Sequence, residues 1–163
     1  MIDVLFADFL SSVVLFYTMI ALLQRVVESS VRVDGAIVAA IGPGLLALIG
    51  VRPADTAADA ERLLDRMLRY RIFADADGRM NRSLIEVRGG LLLVPQFTLA
   101  ADTARGLRPG FSHAAPPALG RELFDTLVTA AGARHAPLAS GVFGAHMQVS
   151  LTNDGPVTIW LES

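Results

Sequence analysis

The chain has 163 residues, of which 53% are hydrophobic, enough to build one domain with a substantial core and too few for two. It has no cysteine, which excludes disulfides, thiolate nucleophiles and cysteine-zinc sites and is compatible with a reducing, cytoplasmic setting. Its net charge of −2 and pI near 5.9 exclude a protein that holds nucleic acid chiefly by covering phosphates with basic side chains.

From Met19 to Val33 the residues have strand character, and Asp34-Gly35 is a two-residue hairpin signal leading into Ala36 to Ile41. Gly42-Pro43-Gly44 interrupts the chain before Leu45 to Val51, a continuous apolar run suited to a buried strand. Asp55-Thr56 can cap a helix over Ala57 to Phe73, in which Ala60, Leu63, Leu64, Met67, Leu68 and Ile72 recur at three- and four-residue steps. Asp75 to Gly78 is turn material and Arg79 to Val87 reads as a short edge segment. Gly89-Gly90 then leads into an apolar strand from Leu91 to Phe97. Asp102 to Pro117, with few aliphatics and several Gly and Pro, reads as a loop of functional length. Pro117 opens a second helix with Leu119, Leu123, Leu127 and Val128 on its inner face and Gly132 at its end. Leu138 to Val142, Ala145 to Leu151 and Val157 to Leu161 read as the remaining strands. There is no internal repeat. The pattern predicts a strand-rich α/β domain with two main amphipathic helices.

Local chemistry narrows the function. The histidines His113, His135 and His146 lack short ligand spacing, so no metal is expected, and no motif calls for a cofactor. Arginines gather at Arg62, Arg66, Arg69, Arg71, Arg79, Arg82 and Arg88, with a further pair at Arg105 and Arg108. Singly these are solvated faces; as a group they form a candidate RNA footprint. Gly155-Pro156 lies between two runs of strand formers. Proline donates no ladder bond there, and a cis Gly-Pro can turn adjacent carbonyls the same way, fit to grip an ammonium group. The plainer reading is a tight turn opening the last strand.

From Met19 onward the chain resembles the D-aminoacyl-tRNA deacylases. The resemblance rests on Met19-Ile-Ala-Leu-Leu-Gln-Arg-Val26, Tyr70-Arg-Ile-Phe73, Gly78-Arg-Met-Asn81 and Pro95-Gln-Phe-Thr-Leu-Ala-Ala-Asp-Thr103. It continues through Arg108-Pro-Gly-Phe-Ser112, Met147-Gln-Val-Ser-Leu151 and Asn153-Asp-Gly-Pro-Val-Thr158, covering about nine-tenths of the chain in the family's order. It implies a curved, barrel-like mixed β-sheet and a homodimer in which the Gly-cisPro element of one subunit enters the active site of the other. It also implies hydrolysis of the ester of D-aminoacyl-tRNA, and of glycyl-tRNA mischarged on tRNA(Ala).

Carried over by position, Gln96, Phe97 and Thr98 would line the catalytic pocket, with backbone N–H groups near Phe97 and Thr98 as oxyanion donors. Gly155 and Pro156 would present carbonyls that exclude an L side chain, and Arg25 would fix their orientation. Thr158 matches a threonine proposed as a nucleophile, a role the tRNA 2′-hydroxyl also competes for; no general base stands beside it in sequence. One departure stands out: Pro95 replaces the family's usual serine, removing a hydroxyl and a backbone donor. The alternative from another class is a nucleic-acid-binding module like the DNA unwinding-element-binding relatives in animals, against which stand the acidic pI and the lack of a basic tail.

Residues 1–18 precede the resemblance. Val4 to Leu23 is a run of twenty residues in which only Asp8 is charged, about the length of a bilayer span. Asp8 lies inside that run, no basic residue precedes it, and Met19 to Leu23 belong to the first strand, so Met19 is read as the natural start and 1–18 as an extension. Protein starting at Met19 is expected to match the full chain in activity and thermal unfolding; loss of fold on deletion, seen by circular dichroism, would overturn this reading.

Overall fold

The computed structural model describes residues 18–104 and 106–163; the extension before Thr18 and Arg105 of the arginine pair lie outside the described residues. Strand β1 (Ile20–Val33) and strand β2 (Ala36–Ile41) form the expected hairpin, turning at Asp34 with φ 49°. Strand β3 (Gly44–Gly50) returns along the first half of β1, and strand β6 (Gly90–Pro95) lies parallel to β3 with strand β7 (Leu138–Ser140) parallel beyond it. The long strand β8 (Gln148–Glu162) runs antiparallel along β1 from Ile20 to Arg32. The result is a six-stranded curved mixed sheet ordered β2-β1-β3-β6-β7, with β8 on the other side of β1. A separate ribbon pairs β4 (Phe73–Ala74) with β5 (Met80–Arg82).

Period-two alternation in β3 and β6 separates two cores. Leu45, Ala47, Ile49, Leu91 and Leu93 face helix α1 (Ala57–Arg69) and helix α3 (Pro117–Arg134), where they meet Leu63, Leu64, Met67, Phe124 and Leu127. Leu46, Leu92 and Val94 fill the inside of the curve with Val26, Val31 and Ala39. Burial on both faces explains why these strands read as unbroken apolar runs. Tight strand approach explains one of the glycines between them: an ideal Cβ on Gly44 would sit 2.0 Å from the Gly90 carbonyl oxygen.

Several boundaries differ from the sequence reading. Helix α1 ends at Arg69 rather than Phe73, because Phe73 joins β4. The edge segment Arg79 to Val87 divides into β5 and a one-turn helix α2 (Leu84–Val87), where Glu86 accepts from the Ser83 N–H at 2.6 Å in a capping box. Helix α3 runs past Gly132 to Arg134, since Ala131 is fully buried and anchors the last turn. The strand expected to reach Phe97 stops at Pro95, and the two expected final strands are one, β8, starting at Gln148.

The surface of α1 accounts for three of the seven clustered arginines. Arg62 pairs with Asp59, Arg69 with Asp65 at 3.1 Å, and Arg66 donates to the Glu162 carbonyl. Arg134 ties α3 to α1 through Asp65 at 2.8 Å and Glu61 at 3.4 Å. No helix among the described residues is long and apolar enough to cross a membrane.

The start of α1 holds a titratable strain on stability. Asp55 is buried, and desolvation outweighs the hydrogen bond from the Arg52 N–H (2.6 Å), raising its pKa from 3.8 to about 6. The folded state therefore binds more protons than the unfolded chain between pH 4 and 6, so Asp55 costs increasing stability as pH rises through that window. Asp55→Asn keeps an acceptor without the charge. The Tm of this variant is expected to gain on wild type by on the order of 5 °C between pH 4 and 7; parallel Tm curves would show that Asp55 ionises freely.

Candidate active site

Two groups of residues form around the ends of β6 and the middle of β8. At the first, β6 gives way after Pro95 to a 3₁₀ turn, Phe97–Ala100. The Gln96 N–H is spent on the Ile49 carbonyl (2.7 Å) and is not available as an oxyanion donor. Phe97 and Thr98 begin the turn, and their N–H groups meet no acceptor among the described residues, as the first donors of a helical turn do not. The Gln96 side-chain amide donates to the Thr98 hydroxyl, fixing both side chains. Phe97 is 57% exposed and its ring rests on Phe111 of the long loop, with centroids 5.1 Å apart. That loop is closed by paired hydrogen bonds between Asp102 and Gly110 of 2.8 and 2.9 Å.

Pro95 is tolerated for a reason that the register shows. On β6 the odd residues face β7, as in the bond from the Leu91 N–H to the Pro137 carbonyl, and β7 ends at Ser140, opposite Leu93. The pairing runs one residue further, the Gly141 N–H donating to the Leu93 carbonyl (2.8 Å), and Pro95, the last residue of β6, withholds a donor only at the point where this ladder ends.

Beside this turn opens a cavity of about 450 Å³, within the size range of small-molecule sites. Its walls include Gln96, Phe97, Phe124, Phe143, Met147 and the first turn of α3 at Pro117 and Gly120. Phe143 was not singled out by the sequence reading; it sits in a glycine-rich loop with no periodic pattern to mark it. Its ring packs so closely on α3 that an ideal Cβ on Gly120 would lie 3.3 Å away.

The second group is a bulge in β8. Gln24 of β1 pairs with Thr158 and Val26 with Asn153, so Arg25 alone faces the four residues Asp154 to Val157. The excess chain projects as an exposed loop around the cis Gly155-Pro156 peptide. Asn153, a second residue without a predicted role, spans its base: the side-chain oxygen accepts from the Val157 N–H (2.7 Å) and the side-chain nitrogen donates to the Val157 carbonyl (3.2 Å). Arg25 clamps the loop from below. Its Nε donates to the Asp154 carbonyl (3.1 Å) and lies 3.0 Å from the Asp154 carboxylate, while Nη1 donates to the Ile72 carbonyl. Gly155 has φ 135°, and an ideal Cβ there would lie 2.8 Å from Val157 Cγ2 and 3.1 Å from Arg25 Nη2. Both the backbone and the space demand glycine.

Thr158 stands at the foot of the bulge, its hydroxyl receiving the side-chain amides of Asn153 (3.1 Å) and Gln24 (3.4 Å). Neither is a base. The structure thus brings Arg25, Gly155, Pro156 and Thr158 together and, separately, Gln96, Phe97 and Thr98; of these seven only Gln96 and Phe97 line the cavity, and Thr98, expected to line it too, stands behind them in the turn.

The model of the D-Tyr-tRNA(Tyr) deacylase family matches residues 22–162. The chain belongs to this family. A D-aminoacyl-tRNA deacylase of Thioalkalivibrio sulfidiphilus is 67% identical over 88% of this chain and 97% of its own length. One from Azotobacter vinelandii is 60% identical over 88% and 99%. Among solved structures, a c-Myc DNA unwinding element binding protein superposes with a TM-score of 0.84 at 35% identity, over 88% of this chain and 98% of that one. A structure described as a probable eukaryotic D-amino acid tRNA deacylase, 19% identical with a TM-score of 0.74, shares the fold.

The clamp makes a prediction. Arg25→Ala should cost about 1.5–3 kcal/mol, as expected for charge-assisted hydrogen bonds, and lower Tm by roughly 3–10 °C. Arg25→Lys should recover little, because one ammonium cannot serve Ile72 and Asp154 in two directions. Wild-type thermal unfolding in the lysine variant would show that charge alone suffices.

Proposed function

We propose that the chain hydrolyses the ester joining a D-amino acid to the terminal ribose of tRNA, releasing free tRNA and the amino acid. The observation that carries this reading is the division of the site. The cavity beside the donor turn lacks every residue of the Arg25-clamped loop, and that loop projects from the protein with Gly155 and Pro156 exposed. A second copy of the chain, docking its Gly155-Pro156 loop over the cavity, would complete both sites. The edge of β8 that pairs with no strand among the described residues, and the exposed Val27, Leu151 and Trp160, supply a surface for such docking.

In the completed site the terminal adenosine of tRNA enters the aromatic cavity between Phe97 and Phe143, setting its aminoacyl ester at the 3₁₀ turn. The N–H groups of Phe97 and Thr98 donate to the oxyanion as it forms, where hydrogen bonds fixed in advance lower the barrier most. Water attacks, positioned by the substrate's own 2′-hydroxyl or by the site, and the ribose oxygen leaves. Thr158 serves as structure: with two amides and no base on its hydroxyl, it is a poor nucleophile. The carbonyls of Gly155 and Pro156 face the substrate's α-amino and α-carbon region and leave no room for an L side chain. D side chains point outward and go unread. Glycine has nothing to exclude, so glycyl-tRNA, including glycine mischarged on tRNA(Ala), is a second substrate.

The test is single-turnover hydrolysis of matched D-tyrosyl-, L-tyrosyl- and glycyl-tRNA by wild type, Gly155→Ala and Thr158→Val. The expected pattern is loss of the D and glycyl esters with the L ester intact. Gly155→Ala should abolish the activity or admit the L ester, and Thr158→Val should stay within about tenfold of wild type, since it loses no proton-transfer chemistry. An inert D ester would overturn the function, and a Thr158→Val loss beyond about a thousandfold would make that hydroxyl the nucleophile.

A further inference from the structure

Packed against two residues that line the cavity, Phe143 and Gly144, is a cation that the reaction above leaves unused. Arg121, in the second turn of α3, is exposed but not loose. Its guanidinium carbon lies 4.9 Å from the centroid of the Phe143 ring, and its Nη2 donates to the Phe143 carbonyl at 3.2 Å. Phe143 is a wall of the cavity, so the arginine packs on a ring whose neighbours on the same helix are Gly120 and, at 6.4 Å between centroids, Phe124.

The charge of Arg121 is also uncommitted. Arg25, Arg62, Arg69 and Arg134 each lie against a carboxylate, whereas Arg121 has none among the described residues. Stacking and the carbonyl bond have already restricted the side chain, so little further ordering is needed for it to grip a ligand. The planar guanidinium keeps further N–H donors pointed away from the Phe143 carbonyl, the arrangement that suits phosphate oxygens.

A nucleoside seated in this cavity as part of tRNA brings one 5′-phosphate, which must lie at the mouth where the chain leaves the site. We propose that Arg121 is a substrate-binding residue that takes this phosphate, so that the site distinguishes an ester on a nucleotide from one on a bare nucleoside. His146, exposed and lining the cavity three residues beyond Phe143, is placed to share the contact. The proposal rests on the preceding reading that the cavity receives the terminal nucleoside.

The test compares D-tyrosyl esters of adenosine and of adenosine 5′-monophosphate with wild type, Arg121→Met and Arg121→Lys. Methionine keeps an apolar stem against Phe143 without the charge. Wild type should show a KM about tenfold lower for the monophosphate ester, the worth of one charge-assisted hydrogen bond. That ratio should fall to near one in Arg121→Met and be partly retained in Arg121→Lys. On whole D-tyrosyl-tRNA, Arg121→Met should raise KM rather than lower kcat and reduce the salt dependence of KM by about one charge. An arginine that merely props Phe143 would shift both KM values together and leave their ratio and the salt slope at wild-type values, which overturns the proposal. Equal wild-type KM values for the two esters would overturn it too while leaving the deacylase reading intact. Failure to hydrolyse D-tyrosyl-tRNA at all would bring down both.

Discussion

The unequal pairing of β1 with β8 is the constraint on which the rest of this structure depends. Strand β1 is the spine of the sheet, bonded along one side to β8 and along the other to β3 and then β2. Near its middle, one residue faces four, and the ladder closes on both sides of the mismatch. The surplus has to leave the sheet, and it leaves as the Gly155-Pro156 loop. A bulge this large keeps one shape only if something anchors its backbone, and Arg25, the lone residue opposite, does so with Asn153. The residue that faces the gap is thus the residue that holds what the gap expels.

Parallel pairing of β3 with β6 sets the other half of the site. Because β6 is buried on both faces, its polar chemistry is confined to its C-terminal end, where the chain must leave the sheet. There the last ladder bond consumes the Gln96 N–H, and the 3₁₀ turn that follows leaves the next two donors unspent. Pro95 stands where the pairing with the β7 side ends, so it withholds only a terminal ladder donor. The donors that remain are supplied by the turn itself.

Surface charge divides by use. The arginines of α1 and Arg134 of α3 are engaged with acidic partners on these two helices or with the C-terminal strand, which knits the layer over the sheet. This division fits an acidic protein that meets RNA at a few points. It also disfavours a role as a general DNA-binding module, despite the likeness to a DNA unwinding element binding protein.

The sequence by itself determined the elements whose signal is local. The Asp34-Gly35 hairpin, the apolar runs of β3 and β6, the face of α1 and the start of α3 follow from turn chemistry and periodicity, and the paired motifs around Gln96 and Gly155 identify the family. Where signals come from partners far along the chain, it misled or stayed silent. Phe73 left the helix for a ribbon partner, β8 continued through a Gly-Pro pair that locally reads as a turn, and Phe143 joined a cavity wall, with Arg121 packed against it, without any pattern to mark them. Only the tertiary structure decided that Gln96 donates to Ile49, that Thr158 has amides instead of a base, and that the loop and the cavity stand apart in one chain. The physical reason is that hydrogen-bond partnership is settled by strand register and packing, which join residues more than a hundred positions apart.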